Sequence, residues 1–174
     1  MPAHRLPDRL AIPGQSRGTC APLDAFNTAP AESARRALLT CLHSPRWADR
    51  VTAHRPYPDL PSLLAAADEA AYDLTPREVA QALARESLPH LPPGTYEAAH
   101  TALNAACAAY EAKFGHVFVI SVKGVSPGEA LDHVLTAIRS RLANDPEDER
   151  QVTAEELRRL AKGRLVELVA HAGP

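Results

Sequence analysis

The chain has 174 residues, of which 45% are hydrophobic and 23% are charged, and its formal net charge at pH 7 is -2. This length suits one domain, and the composition is that of a globular protein rather than a disordered one. Without a basic surplus the chain has little to offer a phosphate backbone, so we expect no nucleic-acid partner. The absence of a long apolar run and of a signal peptide predicts a cytoplasmic protein with no membrane partner.

The cysteines and histidines give no sign of a metal centre. Cys20, Cys41 and Cys107 are odd in number and widely spaced, which predicts neither a disulfide framework nor a paired zinc motif. The eight histidines form no His-x-x-x-His pair and no His/Cys cluster. We therefore expect no metal site.

The first third of the chain separates into a leader and three helices. Residues 1–22 mix Pro, Gly, Arg and Ser without apolar periodicity, which predicts a flexible leader before a domain over residues 23–174. Asn27 or Thr28 is the expected cap of a helix that ends near residues 44–45. A short helix around residues 47–52 and a longer one over residues 60–72 should follow, with prolines between them.

Further capping signals predict the remaining helices. Thr75 and Glu78 suggest a capping box for a helix that runs to about residue 86, and an alanine-rich helix should extend from about residue 96 to 113. Ser126 and Thr153 each begin a similar pattern, so each is expected to start a helix. The last helix should carry four leucines on its inner side: Leu157, Leu160, Leu165 and Leu168.

One run, residues 117–122, has the composition of a strand and is bounded by Gly115 and Gly124. A lone strand has no partner, so we interpret the run as a buried extended segment between helices. The predicted fold class is therefore all-α, a single-domain helical bundle with at least six helices between residues 24 and 170 and at most a trace of strand. Trp47 is expected in the core, and Arg55 is expected to cap or pair nearby.

Six segments in fixed order resemble the family of 2-oxo-4-hydroxy-4-carboxy-5-ureidoimidazoline (OHCU) decarboxylases. They lie at residues 26–27, 41–48, 55–57, 110–120, 141–145 and 164–165. The resemblance covers about residues 24–169. It implies an all-helical homodimer that converts the small molecule OHCU to (S)-allantoin in urate breakdown, without a metal or an organic cofactor.

The resemblance also implies where the catalytic groups should lie. The place of the family's histidine falls on Glu86, and the loop that leads to the family's Ser-x-x-Glu-Gln motif is largely missing, as is the motif. In one interpretation His90 supplies the imidazole and Glu97 or His100 replaces the lost glutamate. In the other, the site has been rebuilt or silenced, and His90 is a surface residue in a proline-rich turn.

The chemistry favours His90 over Glu86 as the acid. Loss of carbon dioxide leaves carbanion character on the ring carbon, which must be stabilised and then protonated on one face. An imidazole has an unperturbed pKa of about 6.5 and suits that step near neutral pH. Glu86 would suit it only if burial raised its pKa by about 2–3 units.

The predicted substrate-binding set consists of a backbone stretch and one arginine. The stretch is Phe118, Val119, Ile120, Ser121 and Val122, whose unpaired N–H and C=O groups would face the substrate, and the arginine is Arg164. The guanidinium of Arg164 matches a carboxylate or ureido oxygen, or alternatively forms a salt bridge to Glu155, Glu156 or Asp145. The side chains of Phe118 and Ile120 are interpreted as core.

Two functions from different classes follow. The first is an enzyme, an OHCU decarboxylase or a relative that acts on another ureido or hydantoin-like acid. The second is a non-catalytic or repurposed member of the family that serves as a small-molecule-binding or partner subunit. The first gains support if His90, Arg164 and residues 118–122 face one pocket, and loses it if His90 points to solvent.

Overall fold

Helices account for all the regular secondary structure in the part of the chain that the structure describes. This computed structural model describes residues 22–88 and 97–171, in which no strand occurs. Its helices are α1 (Pro22–Thr28), α2 (Ala31–Cys41), α3 (Pro45–Ala53), α4 (Leu60–Tyr72), α5 (Pro76–Leu83), α6 (Glu97–Phe114), α7 (Ala130–Arg141) and α8 (Pro146–His171). The all-α prediction is confirmed. Of the predicted leader, only Pro22 lies within the described residues.

Local capping explains the starts of α3, α4 and α5. The Thr75 hydroxyl accepts the N–H of Glu78 at 3.3 Å, and the Glu78 carboxylate accepts the N–H of Thr75 at 2.8 Å, which completes the predicted capping box. The side chains of Ser44 and Asp59 each accept a backbone N–H from the first turn of α3 and α4, and that turn contains a proline in both helices. The predicted bounds of α4 are confirmed.

Two predicted helix boundaries in the amino-terminal half of the chain are wrong. Neither Asn27 nor Thr28 caps α2, because Thr28 ends the unpredicted helix α1 and Asn27 exchanges two hydrogen bonds of 2.9 Å with the backbone of Tyr57. Helix α5 ends at Leu83 and not near Glu86. The residues after the helix form tight turns, in which the N–H groups of Arg85 and Glu86 donate to carbonyls three residues earlier.

Two predicted helix starts in the second half are also wrong. The Ser126 hydroxyl donates to the Glu129 carboxylate at 2.5 Å instead of accepting a backbone N–H, and α7 begins only at Ala130. Thr153 lies inside α8, which begins seven residues earlier, where Asp145 accepts the N–H groups of the second and third helical residues. A capping pattern inside a long helix therefore predicted a helix start where the helix continues.

The core consists of two apolar clusters. The larger joins α1 to α5 with α8 and contains Trp47, which is 1% exposed and donates its indole N–H to the carbonyl of Ala67 at 2.8 Å. The smaller joins α6 and α7 with Phe118. The prediction for α8 is confirmed, because Leu157 and Leu165 are buried and Leu160 and Leu168 pack against the larger cluster.

Arg55 has the structural role expected of it. Its guanidinium donates to the carbonyls of Phe26, in the last turn of α1, at 2.6 Å and of Ala29, just after that helix, at 2.9 Å. Unpaired carbonyls at a helix end are stabilised by a nearby cation. No helix in residues 22–88 and 97–171 is long and apolar enough to cross a membrane.

A buried ion pair connects the smaller cluster to α8. Arg141 of α7 contacts Glu149 of α8 at 2.6 Å, and the two side chains are 8% and 0% exposed. Tyr110 of α6 donates its hydroxyl to the same carboxylate, Asn144 donates to it at 2.8 Å, and Thr153 contacts both charged groups. Every charge in this network has several partners, as a low-dielectric interior requires.

The pKa shifts in the network follow from burial and hydrogen bonding. Burial alone would raise the pKa of Glu149, but hydrogen bonds from Arg141, Tyr110 and Asn144 outweigh it and lower that pKa. Burial, reinforced by the hydrogen bond to Glu149, raises the pKa of Tyr110 to about 12. The carboxylate is therefore ionised and the phenol is a proton donor at neutral pH.

We predict that Arg141→Met lowers the free energy of unfolding by about 3–5 kcal/mol, because Glu149 would stay buried without its partner. Arg139→Met is the matched control, since it removes the same charge from an exposed position of α7, and it should change the free energy by no more than about 0.5 kcal/mol. Urea denaturation of both variants measures the difference. Equal values for the two variants would contradict the role given to the ion pair.

Candidate functional site

A small cleft opens where four parts of the fold meet. The turn after α5, the extended segment (residues 117–122), the start of α7 and the middle of α8 enclose a volume of about 290 Å³. The lining residues are Glu86, Ser87, Leu88, Phe118, Val119, Ile120, Val122, Ala130, Val134, Leu160 and Arg164. We call this space the candidate cleft. Four of the five residues predicted in the backbone stretch thus line one cavity with Arg164.

Contacts with other elements fix the extended segment in place. Gly115 and Gly124, with φ angles of +77° and +85°, turn the chain at either end of it. The carbonyl of Val119 accepts a hydrogen bond of 2.6 Å from Arg141, and the N–H of Ser121 donates to Glu156 at 2.8 Å. Two of the backbone groups that the sequence left for a ligand are therefore bonded within the chain.

The side chains of the extended segment divide between core and cleft. Phe118 and Val119 are 0% and 2% exposed, so their side chains belong to the core, as expected for Phe118. Ile120 is half-buried and packs against the smaller cluster, while Val122 is exposed. The segment gives the cleft an apolar wall.

Arg164 forms a two-pronged salt bridge with Glu86 at one end of the cleft. Its Nη1 and Nη2 atoms donate to the two carboxylate oxygens at 2.8 and 2.7 Å, and Nη1 also donates to the carbonyl of Cys41 at 3.1 Å. The Glu86 side chain is 7% exposed and that of Arg164 is 36% exposed. The geometry is that in which a guanidinium binds a ligand carboxylate, but here the carboxylate belongs to the chain.

The salt bridge predicted for Arg164 is thus real, but each of its three expected partners is wrong. Glu155 pairs with Arg158 and Arg159, Glu156 pairs with Arg159 and Ser121, and Asp145 caps α8. The hydrogen bonds from Arg164 to Glu86 raise the pKa of the guanidinium, against the effect of burial. Burial raises the pKa of the neighbouring Cys41 thiol to about 11, so that thiol is neutral.

The predicted catalytic residues do not join this group within the described part of the chain. Glu97 is the first residue of α6, is exposed and does not line the candidate cleft, and its alternative His100 is exposed on the same helix. His90 lies outside the described residues. The assignment of His90 and Glu97 as catalytic residues stays a prediction.

Sequence reasoning did not identify the partner roles of Glu86 and Glu156. Glu86 could have been found, because the resemblance already placed it at the family's histidine position and Arg164 in the same site. Glu156 carried no such signal, since its contact with Ser121 joins residues 35 positions apart. Each of these carboxylates accepts hydrogen bonds from a group that the sequence predicted to bind the substrate.

A second cleft, of about 350 Å³, lies between α5, the end of α6 and the start of α8. It is larger and more apolar, with Val79, Leu83 and Phe114 among its walls. None of the predicted site residues within the described part of the chain lines it. The smaller candidate cleft is therefore the better match to the predicted substrate-binding set, since Arg164 and four residues of the extended segment line it.

Comparison with known protein families identifies the chain. The family model described as OHCU decarboxylase matches residues 27–92 and 91–166, which together cover more than half of the 174 residues. The chain belongs to the OHCU decarboxylase family. The two matched parts meet at residues 91–92, in the stretch where the sequence predicts a missing family loop.

Solved structures agree with this family fold. A crystal structure of OHCU decarboxylase in the presence of (S)-allantoin is similar with a TM-score of 0.67 and 19% identity, over 82% of this chain and 99% of that one. A crystal structure of (S)-allantoin synthase is similar with a TM-score of 0.67 and 18% identity, over 84% of this chain. This chain spans about half, 53%, of that synthase chain. A search of curated protein sequences finds no match.

We predict a coupling free energy of about 1–2 kcal/mol between Glu86 and Arg164 in a double-mutant cycle of Glu86→Gln and Arg164→Met. The value should be smaller than that of a fully buried pair because solvent reaches Arg164. The free energies of unfolding of the wild type, both single variants and the double variant give the coupling. A coupling near zero would mean that the salt bridge contributes nothing to the folded state.

Proposed function

We propose that this member of the OHCU decarboxylase family acts in urate breakdown and holds a small ureido or hydantoin-type compound in the candidate cleft. The observation that carries the proposal is the meeting of Arg164 with the extended segment in one cavity of about 290 Å³. Family membership and the shared fold support it. The homodimer and the cytoplasmic location stay predictions.

The reaction of the family requires few groups. Breakage of the bond to the carboxylate releases carbon dioxide and leaves the electron pair on the ring carbon, where the ring stabilises it in an enolate-like form. His90, if it supplies the acid, donates its imidazolium proton to that carbon from one face and recovers a proton from solvent. Glu97 would orient the ureido group through its carboxylate.

The salt bridge between Glu86 and Arg164 favours weak catalysis. It requires the ionised carboxylate, which accepts hydrogen bonds and has no proton to donate. It also uses the side of the guanidinium that would best bind a substrate oxygen. The residue at the place of the family's histidine and the predicted substrate-binding arginine therefore neutralise each other in this chain.

A second candidate function follows from the same salt bridge. A family member whose acid position and cation are paired, and whose Ser-x-x-Glu-Gln motif is missing, can keep the scaffold and the cleft without the chemistry. Such a protein would bind a small molecule or serve as a partner subunit. Turnover of OHCU discriminates between the two functions.

We predict that the wild type decarboxylates OHCU at least about a thousandfold more slowly than intact family members, because loss of one preorganised group from a site costs about 3–4 kcal/mol and two elements are altered here. Residual turnover should disappear in His90→Ala. The exposed His133 on α7 provides the control His133→Ala, which should keep the wild-type rate.

The assay follows freshly generated OHCU by circular dichroism, which separates enzymatic (S)-allantoin from the racemate of spontaneous decay. Turnover at the level of intact family members would refute the proposal of an impaired site. An unchanged rate in His90→Ala would remove His90 from the mechanism.

A further inference from the structure

The salt bridge at the end of the candidate cleft restricts which ligands the cleft can bind. Both oxygens of Glu86 lie within 2.8 Å of Arg164, so the paired donors of the guanidinium are already occupied. A ligand carboxylate at the same place would displace Glu86 and leave it almost buried, without its partner and beside a second negative charge. Each of these consequences opposes binding of an acid.

A second carboxylate accepts a backbone N–H of the extended segment at a residue that does not itself line the cleft. Glu156, whose side chain is 12% exposed, accepts the N–H of Ser121 at 2.8 Å and is also paired with Arg159. Glu167 lies near Arg164 as well and raises the pKa of its guanidinium. An anion that enters the cleft would therefore meet the Glu86 carboxylate in its lining, while Glu167 adds a second negative charge near Arg164.

The same arrangement suits a ligand that donates hydrogen bonds. A carboxylate has about four lone-pair sites, and Glu86 uses two of them for Arg164, so its oxygens can accept further N–H groups. Beside this salt bridge, the apolar residues Leu88, Ile120 and Leu160 line the cleft. A flat, uncharged ring with N–H groups at its edge would contact both kinds of surface.

We propose that the candidate cleft binds an uncharged ureide or cyclic imide through N–H groups donated to Glu86, and that Glu86 selects this compound over the corresponding acid. The proposal rests on the proposed function, because it concerns the same cleft. It goes further by naming the ligand class and the residue that determines it. Ureides of this class have the charge of the decarboxylated product rather than that of the acid.

The test compares two probes of similar size, neutral allantoin and hydantoin-5-acetic acid, which is an anion at pH 7. Each is titrated into the full chain, and backbone amide shifts are followed by NMR. We expect the wild type to bind allantoin at least about tenfold more tightly than the acid, because a like charge beside Glu86 opposes binding of the acid. The shifted amides should include those of residues 118–122 and Ala130.

Glu86→Gln keeps the size of the side chain and removes its charge, so Arg164 becomes available to a ligand carboxylate. This variant should bind the acid at least about tenfold more tightly than the wild type does, which removes the preference for allantoin. Glu69→Gln is the matched control, because it removes the same charge from an exposed residue of α4 that forms a salt bridge with Arg50 of α3. It should leave both affinities unchanged.

The outcomes separate the inference from the proposed function. Equal or tighter binding of the acid by the wild type would overturn the inference, while the cleft would stand as a small-molecule site. An unchanged preference in Glu86→Gln would overturn the selective role of Glu86. No binding of either probe to the wild type and Glu86→Gln, or shifts confined to other regions, would overturn both. The wild-type comparison needs no variant, so it decides even if Glu86→Gln does not fold.

Discussion

The buried ion pair between Arg141 and Glu149 is the interaction on which the arrangement of the site depends. Removing two charges from water is costly, and here the cost is offset by hydrogen bonds from Tyr110, Asn144 and Thr153 to Glu149, and by one from Arg141 to the extended segment. Because Arg141 also donates to the carbonyl of Val119, the ion pair attaches the extended segment to α7 and α8. The same ion pair therefore holds both the wall of the candidate cleft and the smaller core cluster against α8.

The cleft shows how a family site can keep its shape while its chemistry changes. Arg164 and the extended segment line one cavity, yet Glu86 and Glu156 occupy the guanidinium and a backbone donor. A carboxylate that a chain supplies to its own cation is present at a far higher effective concentration than any free ligand. The local charge of the cleft is therefore set by residues of the chain, and a neutral ligand disturbs it least.

Much of the fold could be predicted from the sequence, because helix starts and apolar faces are local signals. Thr75 with Glu78 and the leucines of α8 are examples in which the local signal and the tertiary structure agree. Asn27, Ser126 and Thr153 carry equally good capping signals, but their side chains bond to Tyr57, to Glu129 and to the Arg141 network instead. A capping side chain has one hydroxyl or amide, and that group can bond to another partner instead of the backbone N–H groups at the helix start.

The site was harder to predict because its decisive contact is distant in sequence. The family resemblance was enough to bring Arg164 and residues 118–122 to one place, but Glu86 and Arg164 are 78 residues apart and nothing local links them. Their pairing depends on where α5 ends, and the predicted end of that helix was three residues too late. Glu86 lies in a turn and not in the helix, so helix geometry could not give the direction of its side chain or identify its partner.

The most direct test of this account is the rate of OHCU decarboxylation by Glu86→His beside that of the wild type. The substitution removes the carboxylate that pairs with Arg164 and places an imidazole where the resemblance locates the family's histidine. We predict a rate at least about tenfold above the wild-type rate, since one positioned general acid contributes about a hundredfold or more in a complete site and this site still lacks its glutamate motif. A Glu86→His rate equal to or below that of the wild type would contradict the claim that Glu86 impairs the reaction.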